Sequence, residues 1–135
     1  MSDESSMTLT AKAIAERSRF FEAAYRSGDA QALVEGYFAD DSHLPLASPP
    51  GGQQPVRGRA ALIAMFAGMI PDMPGILLET VELIASDAVA MEIGRAHLTD
   101  RDGVVHVGRY AVGWVLTAQG WRAKADFFAT DGWAD

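Results

Sequence analysis

Residues 88–117 read AVAMEIGRAHLTDRDGVVHVGRYAVGWVLT, and their reading decides the fold. Two runs, Ala88 to Thr99 and Val104 to Thr117, alternate with a period of two, and Asp102-Gly103 punctuates them. That is the pattern of two antiparallel strands joined by a tight turn. If Asp102-Gly103 is a two-residue turn, Arg101 pairs with Val104. Arg95 then stands opposite Tyr110, His97 opposite Gly108, and Thr99 opposite His106. One face carries Met91, Ile93, Arg95, His97 and Thr99 with His106, Tyr110, Val112 and Trp114, a mixture of aromatic and polar groups suited to lining a pocket. The other carries Ala90, Glu92, Gly94, Ala96 and Leu98 with Val105, Val107, Arg109 and Ala111. Small and largely apolar, it predicts a convex face covered by a second copy of the chain, hence a homodimer.

Outward from this pair, Ile76 to Ala85 and Trp121 to Thr130 read as flanking strands, set off by Ser86-Asp87 and Gln119-Gly120. The N-terminal half has a different period. After a frayed start over residues 1–8, Leu9 to Ser27 lacks Pro and Gly, and its apolar residues, among them Ile14, Phe21 and Tyr25, recur at helical spacing. Gly28-Asp29 suits a corner between two helices, Gly28 ending the first and Asp29 capping the second. Leu33, Val34, Tyr37 and Phe38 form the buried side of that second helix. A short strand and a Pro-rich loop from Pro45 to Pro55 follow. A third helix begins near Gly58-Arg59, buries Leu62, Ile63, Phe66 and Met69, and stops at Pro71. Helices first and strands after them indicate an α+β fold of one domain, residues 1–135.

Composition narrows the function. The chain has 135 residues, 49% of them hydrophobic, and a net charge of −7, so its average field repels nucleic acid and anionic membranes. The longest apolar run, Ala60 to Ile70, falls well short of the ~20 residues that span a bilayer. Without cysteine there is no disulfide framework or thiolate chemistry. The polar, acidic first residues lack the features of a signal peptide, which sets the expected location in the cytoplasm. No phosphate loop, nucleophile elbow or dinucleotide fingerprint is present, so no cofactor is expected. Two histidines without a clear third ligand make no metal site.

In order and punctuation the elements resemble the nuclear transport factor 2-like superfamily, in particular its SnoaL-like branch. The resemblance rests on Gly28-Asp29, Tyr37-Phe38-Ala39-Asp40-Asp41, Gly58-Arg59, Gly108-Arg109-Tyr110 and the stretch from Gly120-Trp121 to Asp126. It implies three helices packed in the concave face of a strongly bent antiparallel sheet, a cone-like α+β barrel, and dimers formed through the convex face. The superfamily includes steroid isomerases, polyketide cyclases and dehydratases as well as members without known activity. Matched by these landmarks, the donor tyrosine, base aspartate and protonated aspartic acid of the steroid isomerases fall at Phe21, Leu46 and Val112. All three changes remove the functional group, so that machinery is absent.

The expected function is binding of an apolar small molecule with a carbonyl or acidic group in a cone-shaped pocket, with cofactor-free proton transfer of the isomerase, cyclase or dehydratase type if it is catalytic. His97 is the candidate base, Tyr110 the donor to a developing oxyanion and Arg95 the charge stabiliser. Phe21, Tyr25, His106, Trp114 and Asp126 are the candidate ligand-binding residues. The core strip Trp121, Ala123, Ala125, Phe127 and Ala129 puts Asp126 outside unless a bulge re-aims it. His43 sits at the start of the Pro-rich loop, and Arg57 and Arg59 stand where the third helix could attract an anion. The alternative is a noncatalytic ligand-binding or dimerisation module of the same fold.

Overall fold

A computed structural model describes residues 3–49 and 54–129. The expected Pro-rich loop lies in part at 50–53, outside the described residues. Three helices are present: α1 (Asp3–Ser27), α2 (Ala30–Tyr37) and α3 (Arg59–Met69). α1 begins earlier than Leu9, and its inner stripe of Ile14, Phe21, Ala24 and Tyr25 is buried. Gly28 adopts φ +79° at the corner, and the Asp29 carboxylate accepts the Ala32 N–H at 3.0 Å to cap α2. Asp40 caps a short 3-10 turn at Asp41–His43. Asp41 accepts the Arg59 N–H at 2.8 Å, tying this turn to the start of α3.

The strands are β1 (Leu46–Ser48), β2 (Val56–Arg57), β3 (Gly75–Ala85), β4 (Val89–Thr99), β5 (Val105–Thr117) and β6 (Gly120–Ala129). They form one mixed sheet in the order β2-β1-β6-β5-β4-β3, antiparallel except where β1 runs parallel to β6. This corrects the expected cone-like barrel: the sheet is open, not strongly curled, with β2 and β3 as separate edges. The physical reason lies at those edges. β2 has only two residues to offer a partner, and α1 occupies the β3 edge with side chains. Glu22 accepts the Leu78 N–H at 2.7 Å, Arg19 donates to the Leu78 carbonyl at 2.8 Å, and the two side chains pair at 2.9 Å. Arg26 donates to the Ile76 carbonyl at 3.3 Å.

The β4–β5 register is one residue away from the expected one. Arg95 pairs with Arg109, His97 with Val107, and Thr99 with Val105. The connection is a three-residue loop, Arg101 to Gly103, closed by Asp100 N–H to the Val104 carbonyl at 2.9 Å and Gly103 N–H to the Asp100 carbonyl at 3.1 Å. Gly103, at φ +84°, takes the left-handed position that such a loop requires before the second strand. Asp100 holds the loop from within, its carboxylate accepting the N–H groups of Asp102 and Val104. A slip of one residue exchanges the faces of one strand relative to the other. Ala90, Glu92, Gly94, Ala96 and Leu98 therefore share the inner, helix-covered face with Gly108, Tyr110, Val112 and Trp114. Arg95 and His97 face outward, with Met91, Val105 and Val107 exposed beside them.

β6 contains the bulge on which the position of Asp126 turns. Trp114 pairs with Ala123 but Gly113 pairs with Ala125, leaving Lys124 as the extra residue. Before it, Trp121 and Ala123 are buried inward. Beyond it the alternation is reset, so Asp126 and Phe128 point in while Phe127 is exposed. The core between helices and sheet is rich in aromatics, with Tyr37 making edge contacts to Phe21 and Trp114 at centroid distances of 4.7 and 5.1 Å.

Candidate functional site

Asp126 opens onto a cavity of about 40 Å³ between the helices and the inner sheet face, lined by Phe21, Tyr37, Phe66, Leu98 and Tyr110. A single water needs roughly 10–15 Å³, and pockets for drug-sized ligands hold about 300 Å³ or more. The cavity admits a few waters or the narrow end of a ligand. The expected cone-shaped pocket is therefore not formed, because the open sheet does not curl round the helices and aromatic side chains fill the space between.

The electrostatics of this small space are unusual. Burial, and after it the charge of Glu92, pushes the Asp126 carboxyl up to about 7. Asp126 and Glu92 both pair with Val112 across the sheet, so they lie in one row on the inner face, two strands apart. Glu92 is fully buried and accepts from three donors: Thr80 Oγ1 at 2.6 Å and the Tyr110 hydroxyl at 2.8 Å on one oxygen, and Trp114 Nε1 at 3.1 Å on the other. Such convergence is what keeps a carboxylate inside an apolar core. Tyr37 is raised well above its ordinary value by burial, then by Asp126 and Glu92, so its hydroxyl keeps a proton that it can donate. Tyr110 is raised likewise, burial being the largest cause. The result is one carboxyl able to take or give a proton at neutral pH, beside phenols that hold theirs.

Of the residues singled out by sequence, the cavity brings together Phe21, Tyr110 and Asp126. Trp114 is buried behind them, engaged with Glu92. Tyr25 stacks on Phe21 and donates its hydroxyl to the Met73 carbonyl at 2.6 Å, joining α1 to the segment before β3. Arg95 and His97 are on the opposite face of the sheet, where His97 Nε2 lies 3.7 Å from Glu79. His106 stands at the hairpin, 2.9 Å from Asp100. The proposed trio of Arg95, His97 and Tyr110 is thus not brought together. His43 is exposed, and its carbonyl accepts from Lys124 at 2.6 Å. Sequence reasoning missed Glu92 and Tyr37 as site residues. For Glu92 a signal existed: it is the lone acid in the small, apolar stripe Ala90-Glu92-Gly94-Ala96-Leu98.

A family model of the SnoaL-like domain matches residues 18–131. The chain belongs to the SnoaL-like family. Its fold is similar to that of a protein of unknown function from Mycobacterium tuberculosis (16% identity, TM-score 0.81, covering 99% of this chain and 79% of that one). It is similar to an NTF2-like protein with a cystatin-like fold from Novosphingobium aromaticivorans (21% identity, TM-score 0.76, covering 97% and 88%). A third likeness is to an NTF2-like protein of unknown function from Shewanella oneidensis (18% identity, TM-score 0.73, covering 88% and 98%). No curated protein matches the chain.

Proposed function

We propose that the chain is an acid–base protein in which Asp126 exchanges a proton with the narrow end of a small molecule entering the cavity between helices and sheet. The observation that carries this reading is a carboxyl raised to about 7 among apolar and phenolic side chains. A group with that value is divided between its two forms at neutral pH, which suits it to both halves of a proton transfer. Tyr37 supplies a phenol that can donate to an oxygen gaining charge. Glu92, held by its three donors, stays out of the chemistry, and its charge is the second cause that raises the Asp126 carboxyl. Solvent-deuterium exchange into small ketones, followed by NMR, tests the reading. Wild type is expected to accelerate exchange with a pH dependence centred near 7, and Asp126→Asn to abolish it. Equal rates in the two proteins would overturn the assignment.

A second reading concerns assembly. Val107 and Phe127 are each about half exposed, at 51% and 47%, on the outer face of the sheet, with Met91 and Leu77 beside them. Exposed apolar side chains on both sides of the Glu79–Arg95–Arg109 row favour a homodimer through the outer face. Glu79 and Arg95 lie opposite each other on the same face, so a second copy meets both signs of charge. Light scattering on wild type and Phe127→Lys tests it: a dimer mass for the first and a monomer mass for the second are expected, and a monomeric wild type would sink the idea.

A further inference from the structure

Three of the nine arginines of this acidic chain gather where α2 ends and β6 begins. Arg59 donates from Nε to the Ala39 carbonyl at 3.3 Å, and from one terminal nitrogen to the carbonyls of Phe38 at 3.0 Å and Glu35 at 3.3 Å. Arg17 donates to the Gly36 carbonyl at 2.8 Å while lying over the Phe20 ring. Arg122 donates to the Trp121 carbonyl at 2.8 Å. Their partners are carbonyl dipoles, and among the described residues none of the three has a carboxylate within ion-pair distance. Their charges therefore act on one another: burial first, then Arg17 and Arg59, lowers the Arg122 guanidinium from its ordinary value. No carboxylate forms an ion pair with this group among the described residues; Asp40, held low chiefly by its hydrogen bonds from Ser42, feels the Arg59 charge only as a weaker cause.

Arg59 and Arg122 both face a cleft of about 220 Å³, together with Gln119 and Thr117. This cleft is lined by residues other than those of the Asp126 cavity and is several times its size. Two carboxylates also border it. Asp40 is occupied within its own turn, accepting from the Ser42 N–H at 3.0 Å and from the Ser42 hydroxyl, and Glu35 lies on an exposed position of α2. Arginine, with its planar fork of donors, is the side chain best suited to oxyanions. The bonds assigned above leave one terminal nitrogen of Arg59, and the Nε and one terminal nitrogen of Arg122, free to donate.

We propose that the cleft between Arg59 and Arg122 is an anion site that takes a small phosphate group, with the Gln119 amide as a further donor. Phosphate answers the arrangement better than chloride, because several oxygens can accept from two guanidinium groups at once while the charge relieves their repulsion. The site does not depend on the Asp126 chemistry, and its failure would leave that reading untouched.

Calorimetric titration of inorganic phosphate into the full chain, against chloride at matched ionic strength, tests the proposal. Saturable binding of phosphate and none of chloride is expected. Arg122→Gln is expected to weaken binding about tenfold or more, as loss of charge-assisted hydrogen bonds does, while Asp126→Asn binds as wild type. Because Arg122 is partly buried, Gln119→Glu provides a second variant at an exposed turn. It places negative charge at the cleft and is expected to weaken phosphate binding without disturbing the fold. Equal heats from phosphate and chloride, or undiminished binding by folded Arg122→Gln or Gln119→Glu, would overturn the site.

Discussion

The ring of Tyr110 lies over Gly94, its partner on the neighbouring strand, in the space that any larger residue would occupy. A Cβ at Gly94 would come within 2.2 Å of Tyr110 Cζ and 2.4 Å of its hydroxyl oxygen. The missing side chain lets Tyr110 reach the carboxylate of Glu92, one inward position further along β4.

Gly94→Ala is therefore expected to displace Tyr110 and deprive Glu92 of a donor. Overpacking and a half-satisfied buried carboxylate together predict a loss of about 2–4 kcal/mol. Urea unfolding measures it, and a loss below about 1 kcal/mol would show that the ring relocates freely.

Glu92→Gln keeps the shape of the side chain, but with its oxygen toward Trp114 its NH₂ faces the Thr80 and Tyr110 hydroxyls, which must turn from donors into acceptors and lose their charge-assisted bonds. A destabilisation of about 1–3 kcal/mol follows. The same variant removes the charge of Glu92, so the Asp126 carboxyl should titrate below its value of about 7, read from its carbon chemical shift. An unchanged titration would mean that burial alone sets it.

The dependence of stability on pH follows from Asp126. Its folded pKa, about 7, exceeds the value of about 3.9 for an unfolded aspartate, so the folded chain binds the extra proton between those limits. This contribution is full below about pH 4, declines as pH rises toward 7, and is gone above it. Asp126→Asn should remove that slope, leaving the variant more stable than wild type at pH 8 relative to pH 5. Parallel pH profiles for the two proteins would contradict this.

Gly103→Ala should cost about 1 kcal/mol, since the left-handed conformation penalises any Cβ. Asp100→Ala should destabilise the hairpin as well, by releasing the N–H groups of Asp102 and Val104 and the contact to His106. His106 also helps to hold the Asp100 carboxyl below the usual carboxylate range. Amide exchange in the 100–104 loop reports both effects.

The order of elements was legible because it is written in punctuation that acts locally. Gly28-Asp29 ends one helix and starts another whatever the rest of the chain does, and Pro71 stops α3. The site was less legible because it depends on two single-residue shifts. Asp102-Gly103 fits a two-residue turn as readily as the last two positions of a three-residue loop, and Asp100, whose side chain selects the longer loop, carries no special sign of doing so. That difference moves Arg95 and His97 from the pocket to the outside. Lys124 interrupts a strand whose alternation otherwise favours Ala125 and Phe127 inside, and so brings Asp126 in. Curvature was the remaining error: strand patterning records which side faces the core, but not whether the sheet's edges will meet.

The pairing of Arg19 and Glu22 with Leu78 has a consequence for the life of the protein in a crowded solution. An open sheet invites fibril growth, because a bare edge can template a strand from another molecule. Here one residue of that edge is answered as a neighbouring strand would answer it, N–H by carboxylate and carbonyl by guanidinium, and Arg26 covers the next inward carbonyl. α1 thus acts as a sentinel over the first half of β3, closing to strangers an edge that the barrel of the expected fold would have closed to itself.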